Sequence, residues 1–177
     1  MTTNLGNIAQ VVEALGEASH IWITGEFADY GLAIFMAKQL STLGMSTTAF
    51  QPSLGETASY IAQMKEGEIV LALASSGPGL DTGYALRLAK EKGLRTMCIT
   101  GSGVALPARE SELTIVTPTE TPVEAASLNP FVQVLSLIWE ALAKARTEAT
   151  TAYQERLQGY MEQVRSFRAE TPEYEIS

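Results

Sequence analysis

The residues best placed to do chemistry fall in two short segments. Gly25-Glu26-Phe27-Ala28-Asp29-Tyr30-Gly31 and Ser75-Ser76-Gly77-Pro78-Gly79-Leu80-Asp81 each follow an apolar run and lead into a helical pattern. Glycines at 25, 77 and 79 let backbone N–H groups approach a ligand closely. Ser75 and Ser76 add hydroxyl donors beside a helix N-terminus, which together make an anion site. Glu26, Asp29 and Asp81 pull the other way. A unit negative charge ~5 Å from one carboxylate at an effective dielectric of ~20 feels roughly 3 kcal/mol of repulsion, and a phosphate dianion feels more. Asp29 has a reading without any ligand, as the N-cap of the helix it opens. Its other reading is as a contact for a hydroxyl or amino group of a ligand.

The chain contains one histidine and one cysteine. That excludes a disulfide framework, a Cys/His zinc site and any two-histidine mechanism. No metal ligand set and no cofactor motif is present. Cys98, between Met97 and Ile99, reads as an inert core thiol in a reducing compartment. His20 precedes the first strand and is therefore expected at the sheet end away from the crevice.

At 177 residues, 46% hydrophobic and 18% charged with a net charge of −8, the chain fits one soluble domain able to bury a sizeable core. The acidic balance argues against nucleic acid and anionic membranes as partners, because both need a positive face. The N-terminus does not read as a signal peptide. Val132 to Ala143, with Gln133 and Glu140 inside it, is too short and polar to span a bilayer. A cytoplasmic protein is the expectation.

Which elements would position these loops? Leu5, Ile8, Val11, Val12 and Leu15 recur at helical spacing before Gly16. Strands are expected over His20–Thr24, Thr47–Phe50, Ile69–Ala74, Arg95–Thr100 and Leu113–Val116. Helices are expected from Asp29 to Gly44, Gly55 to Met64 and Leu80 to Lys92. This alternation spells βαβ units, a parallel sheet and helices on both faces. The fold class is therefore α/β: a three-layer αβα sandwich around a five-stranded sheet in the flavodoxin-like order 2-1-3-4-5. In that order the two loops face each other at the switch point, where ligands bind.

From Thr121 the pattern turns helical to about Phe167, with Tyr153, Leu157, Tyr160, Met161, Val164 and Phe167 forming an apolar stripe. The stripe suits either the chain's own sheet or a second copy in a homodimer. One domain over 1–170 is expected, with an N-terminal helical flank over 3–17, C-terminal helices over about 122–168, and a disordered tail over 171–177.

The stretch EGEIVLALASSGPGLDTGYALRLAKEKGLRTMCITGSGVALPARESELTIV resembles the core of the sugar isomerase (SIS) domain. Gly25 of the family's first loop, Ser76-Gly77 of its second, Ala89-Lys90, Gly93 and Ile99-Thr100 are kept, and the likeness runs from about His20 to Leu142. Leu106-Pro107-Ala108 fits the family's small-residue turn before the fifth strand. The resemblance implies dimers or tetramers that bind phosphorylated sugars in the crevice. Phe27 and Asp29 stand where the family has a glycine and a serine, and Ala74 and Gly79 where it has a serine and a threonine. Hydroxyls that would hold a sugar phosphate are thus lost and a carboxylate is gained.

Gln133 falls where hexulose-phosphate isomerases of this superfamily carry a glutamate that looks like their base. An amide cannot take up that proton. Gln133, followed by Leu137, Ile138 and Ala141-Leu142, looks more like the sensor domain of RpiR-type transcription regulators, here without their DNA-binding domain. The candidate ligand-binding residues are Gly25, Glu26, Asp29, Ser75, Ser76, Gly77, Gly79, Asp81, Thr100 and Gln133, with no catalytic residue assigned. The first expectation is a non-catalytic module binding a sugar or sugar phosphate, assembled as a homodimer or tetramer. The alternatives are a phosphosugar aldose–ketose isomerase using Glu26, Asp29 or Asp81 as base, and a structural dimer with a decayed site.

Overall fold

A strand hydrophobic at every position has to be covered on both faces, and Ile69–Ala74, buried throughout, organises the fold in this way. The computed structural model describes residues 5–117, 119 and 127–170. The chain runs α1 (Leu5–Glu17), β1 (Ile21–Thr24), α2 (Ala28–Ser41), β2 (Thr47–Phe50), α3 (Leu54–Gln63), β3 (Ile69–Ala74) and α4 (Leu80–Glu91). It continues through β4 (Arg95–Thr100), α5 (Leu106–Glu110), β5 (Leu113–Val116), α6 (Asn129–Ala145) and α7 (Thr147–Glu170).

The strands form one five-stranded parallel sheet in the order β2-β1-β3-β4-β5. Ile21 pairs with Thr47 on one side and Ile69 on the other, and Ala74 with Thr100. Side chains alternate between two cores. Ile21, Ile23, Ile69, Leu71, Leu73, Met97 and Ile99 face α1, α2 and α6 through Leu15, Met36, Leu40, Phe131 and Ile138. Trp22, Val70, Ala72, Ala74 and Cys98 face α3 and α4 through Met64, Leu86 and Ala89. The expected three-layer sandwich and strand order are therefore present. Because α2 and α4 leave neighbouring strands for opposite faces, the loops that start them part and open a crevice at the carboxyl ends of β1 and β3.

The differences from expectation are local. β1 begins at Ile21, one residue after His20. The run read as a small-residue turn contains a helix, α5, with Pro107 in its first turn. Five residues are too few to show a period, although proline's fixed φ suits a helix start. The C-terminal helices α6 and α7 meet at Arg146. Arg146 donates to the Gly16 carbonyl at 2.6 Å, satisfying an end of α1. The expected disordered tail over 171–177 and the start of the C-terminal helical stretch over 122–126 lie outside the described residues. No helix among the described residues is long and apolar enough to cross a membrane.

Candidate ligand cleft at the switch point

The first loop turns tightly out of β1. A Cβ on Gly25 would lie 2.8 Å from the Asp29 backbone carbon, so only glycine lets the first turn of α2 fold back over it. Phe27 precedes that helix at φ 50°, the only positive-φ residue other than glycine among those described. Such a conformation costs a side-chain-bearing residue about 1–3 kcal/mol. The Phe27 side chain is 88% exposed at the mouth of the crevice.

Asp29 corrects an expectation. It makes no cap on its own helix: the N-cap is Phe27, without a side-chain bond. Its carboxylate reaches across to β3 instead, where Oδ2 accepts the Ser75 N–H at 2.9 Å. The physical reason is position, since Asp29 lies inside the first turn, where its side chain already faces the neighbouring strand end. The residue is only 6% exposed. Burial pushes its carboxyl pKa up, hydrogen bonds from Ser75 partly offset this, and the Glu26 charge adds to it. Asp29 Oδ1 is buried with no hydrogen-bond partner among the described residues.

The second loop is clamped from three sides at Ser75. Its N–H goes to Asp29, and its carbonyl accepts the Thr119 hydroxyl at 2.7 Å. Gly101 packs so closely on that carbonyl that a Cβ there would overlap it. Gly77 and Gly79 sit at φ 73° and 59°, the left-handed region where glycine carries no penalty. Gly79 is the N-cap of α4, yet it has no side chain to occupy the free N–H groups. Glu26 takes one of them from across the crevice: its Oε2 accepts the Thr82 N–H at 3.3 Å. The Thr82 hydroxyl is itself buried without a partner among the described residues.

Between the loops lies a cleft of about 340 Å³, within the range of small-molecule sites. Glu26, Asp29, Ser76, Gly77, Gly79 and Asp81 line it, as do Phe27 and Thr82. Other sequence-derived candidates are not among the lining residues. Gly25 serves the turn beneath Asp29, and Ser75 is buried as the clamped residue. Thr100 is wholly buried, donating to the Ala74 carbonyl at 3.0 Å and accepting the Ser102 N–H at 3.2 Å. Its hydroxyl ties β3 to β4 rather than facing a ligand. Gln133 lies exposed on α6. Phe27 was noticed only as a replacement for a small residue. Thr82 carried no signal, since its role depends on which way one turn of α4 faces.

The remaining singled-out residues are far from this chemistry. His20 stands at the amino end of β1, its Nδ1 2.7 Å from Ser46 Oγ and its Nε2 3.0 Å from Thr48 Oγ1. Cys98 is buried in the α3/α4-side core, and burial pushes its thiol pKa far up, so it stays protonated and unreactive. What the cleft offers is carboxylate acceptors, hydroxyls, glycine backbone and one exposed aromatic face.

Comparison with known proteins places this arrangement. The SIS domain family model matches residues 14–144. The sugar isomerase domain of the RpiR transcription factor from Sphaerobacter thermophilus superposes with a TM-score of 0.82 at 25% identity, over 88% of this chain and 87% of that one. The Vibrio vulnificus NanR protein complexed with ManNAc-6P gives 0.77 at 18% identity, over 90% and 62%. Among curated sequences, the isomerizing glutamine–fructose-6-phosphate aminotransferase of Sulfurisphaera tokodaii is 23% identical over 84% of this chain. The chain spans only about 24% of that relative's length.

Proposed function

The chain belongs to the SIS domain family, and from that premise we propose that it is a non-catalytic module binding a sugar or sugar derivative in the switch-point cleft. One observation carries the reading. Asp29 Oδ1 and Thr82 Oγ1 are buried, unpartnered and on residues that line the same cleft. Leaving such groups unsatisfied costs about 1–3 kcal/mol each, a cost that a polyhydroxylated ligand removes once a side-chain rotation brings them to the cleft wall. The solved relative with ManNAc-6P bound supports a sugar derivative as the ligand class.

A binding role without turnover is supported by Gln133 and His20, neither of which supplies a base to the cleft. Gln133 is an amide exposed on α6, and His20 lies at the opposite end of the sheet. The isomerase reading keeps one observation in its favour: Asp29 is a carboxylate in a cleft with a raised pKa, as general bases often are. Its Oδ2, however, is committed to the Ser75 N–H. We take the protein to act as a homodimer or tetramer.

A thermal-shift series with free sugars, amino sugars and sugar phosphates tests the reading. Ligand at about 100 times its Kd stabilises the native state by about 2.7 kcal/mol, a readable rise in melting temperature. A rise with at least one member is expected, and none with any would end the binding proposal. Interconversion of fructose 6-phosphate and its aldose isomer would replace it with the isomerase reading.

A further inference from the structure

Resting on the binding role proposed above, we infer that Glu26 and Phe27 form a sprung latch over the cleft, which an anionic group of the ligand releases so that the Phe27 ring closes on what has entered. Two costs fall on one residue. Phe27 sits at φ 50° and ψ −118°, a backbone conformation that only glycine adopts freely, and its side chain is 88% exposed at the cleft wall. A phenyl ring has no polar atom to offer the N-cap position it occupies, so the conformation is imposed by its neighbours. Asp29 is tied across the crevice to the Ser75 N–H at 2.9 Å, and Glu26 to the Thr82 N–H at 3.3 Å. Between these ties the first turn of α2 fixes the peptides, with the Glu26 carbonyl accepting the Asp29 N–H and the Phe27 carbonyl the Tyr30 N–H.

The two ties differ in strength. The Asp29 bond is buried, whereas the Glu26 bond is longer and only part-buried, so Glu26 is the one that gives. Ser76, Gly77 and Gly79 of the second loop line the same cleft, and an anion lodged on them stands beside the Glu26 carboxylate. Like charges at that range repel, and no lysine or arginine is among the lining residues to offset them. A ligand anion therefore favours the state in which Glu26 has left Thr82. With one anchor gone, Phe27 relaxes to negative φ, and the turn of its peptide carries the ring from solvent onto the cleft, where apolar surface leaves water. The ligand thus binds the released state better on two counts, which is what shifting a conformational equilibrium requires. Strain held in the latched state makes the shift easier.

Fluorine NMR on the full chain labelled with 4-fluorophenylalanine tests this, since the chain has five phenylalanines and Phe27→Leu identifies the signal of residue 27. The probes are fructose 6-phosphate and ManNAc-6P, the ligand of the NanR relative, with calorimetry recording whether each binds. Bound probe is expected to move the Phe27 signal further than any other phenylalanine signal. Glu26→Ala is expected to place that signal near its bound position with no probe present, a shift that loss of charge repulsion alone would not produce. Phe27→Gly is expected to raise the melting temperature of the ligand-free protein and to weaken the sugar phosphates at least ten-fold, because its latched state carries no strain. A Phe27 signal that stays put when probe is bound, or that keeps the parent position in Glu26→Ala, overturns the latch and leaves ligand binding standing. If neither probe binds and the thermal series shows no shift, the binding role falls, and the Glu26→Ala signal still decides whether the loop is strapped.

Discussion

Asp29 holds a charge that its burial opposes. Its carboxyl pKa is raised above the ordinary value of about 3.9, so in the folded state it holds its proton to higher pH than in the unfolded state. The stability from this group is thus fully present below about pH 3.9 and lost as pH rises through the folded value. Asp29→Asn keeps an acceptor for the Ser75 N–H and removes the charge. Urea denaturation is expected to show the variant at least as stable as the parent at pH 7 while its ligand affinity falls, the usual exchange of stability for function. A clear loss of stability at pH 7 would mean that the charge supports the clamp instead of the ligand. His20 has the opposite sign: burial lowers its pKa, with the Glu68 charge partly opposing. Its contribution is present above about pH 6.5 and lost as pH falls through the folded value. Melting curves from pH 7.5 to 5 should fall less steeply for His20→Gln, and parallel curves would refute that role. The sequence made Glu26, Asp29 and Asp81 visible as cleft carboxylates, because loop position alone puts them there. It could not show that two of them already hold backbone N–H groups of the facing loop.

The five residues of α5 illustrate the limit at the scale of elements. β1 and β3 were legible because buried parallel strands are short, continuous apolar runs, and α2 and α4 because their periods run into Gly44 and Gly93; β2, an edge strand with two threonines, and α3 were more weakly marked. α5 was not legible, yet it sets tight packing around the cleft. A Cβ on Gly83 would overlap the Leu106 side chain near its root, and one on Gly79 would come within 2.7 Å of Pro107 Cγ. Alanine is favoured over glycine in helix interiors by about 1 kcal/mol, but overpacking costs about 1–3 kcal/mol. Gly83→Ala is therefore expected to be net destabilising in urea denaturation. A stabilised variant would show that α5 yields easily. Gly101→Ala meets the Ser75 carbonyl, which is backbone and cannot rotate away. It should lower both stability and ligand affinity, because moving Ser75 moves the donor that orients Asp29.

Across the whole molecule, α7 is the part that the domain does not cover. Its first turns are tied to the end of α2, with Thr150 donating to the Leu43 carbonyl, Gln154 to that of Thr42 at 2.6 Å, and Tyr153 packed on Gly44. Beyond them Tyr160 is 66% exposed, and Leu157, Met161 and Val164 are exposed beside it. If this stripe is covered by a second copy, light scattering should give a mass of two or four chains, and Leu157→Glu with Tyr160→Glu should reduce it. A monomeric parent would leave the stripe without that role. The sequence by itself determined the order of the strands and of the longer helices, the αβα layering and the two loops at the switch point. Those follow from local hydrophobic period, glycine placement and the handedness of βαβ crossovers, all written along the chain. Only the tertiary structure decided which polar atoms in those loops are spoken for. Hydrogen bonds between residues 46 and 56 positions apart, Asp29 to Ser75 and Glu26 to Thr82, depend on side-chain direction across a crevice, which no periodicity encodes. For the same reason Gly25, Ser75 and Thr100 proved to be supports of the cleft, Gln133 lay apart from it, and Phe27 and Thr82 joined its wall.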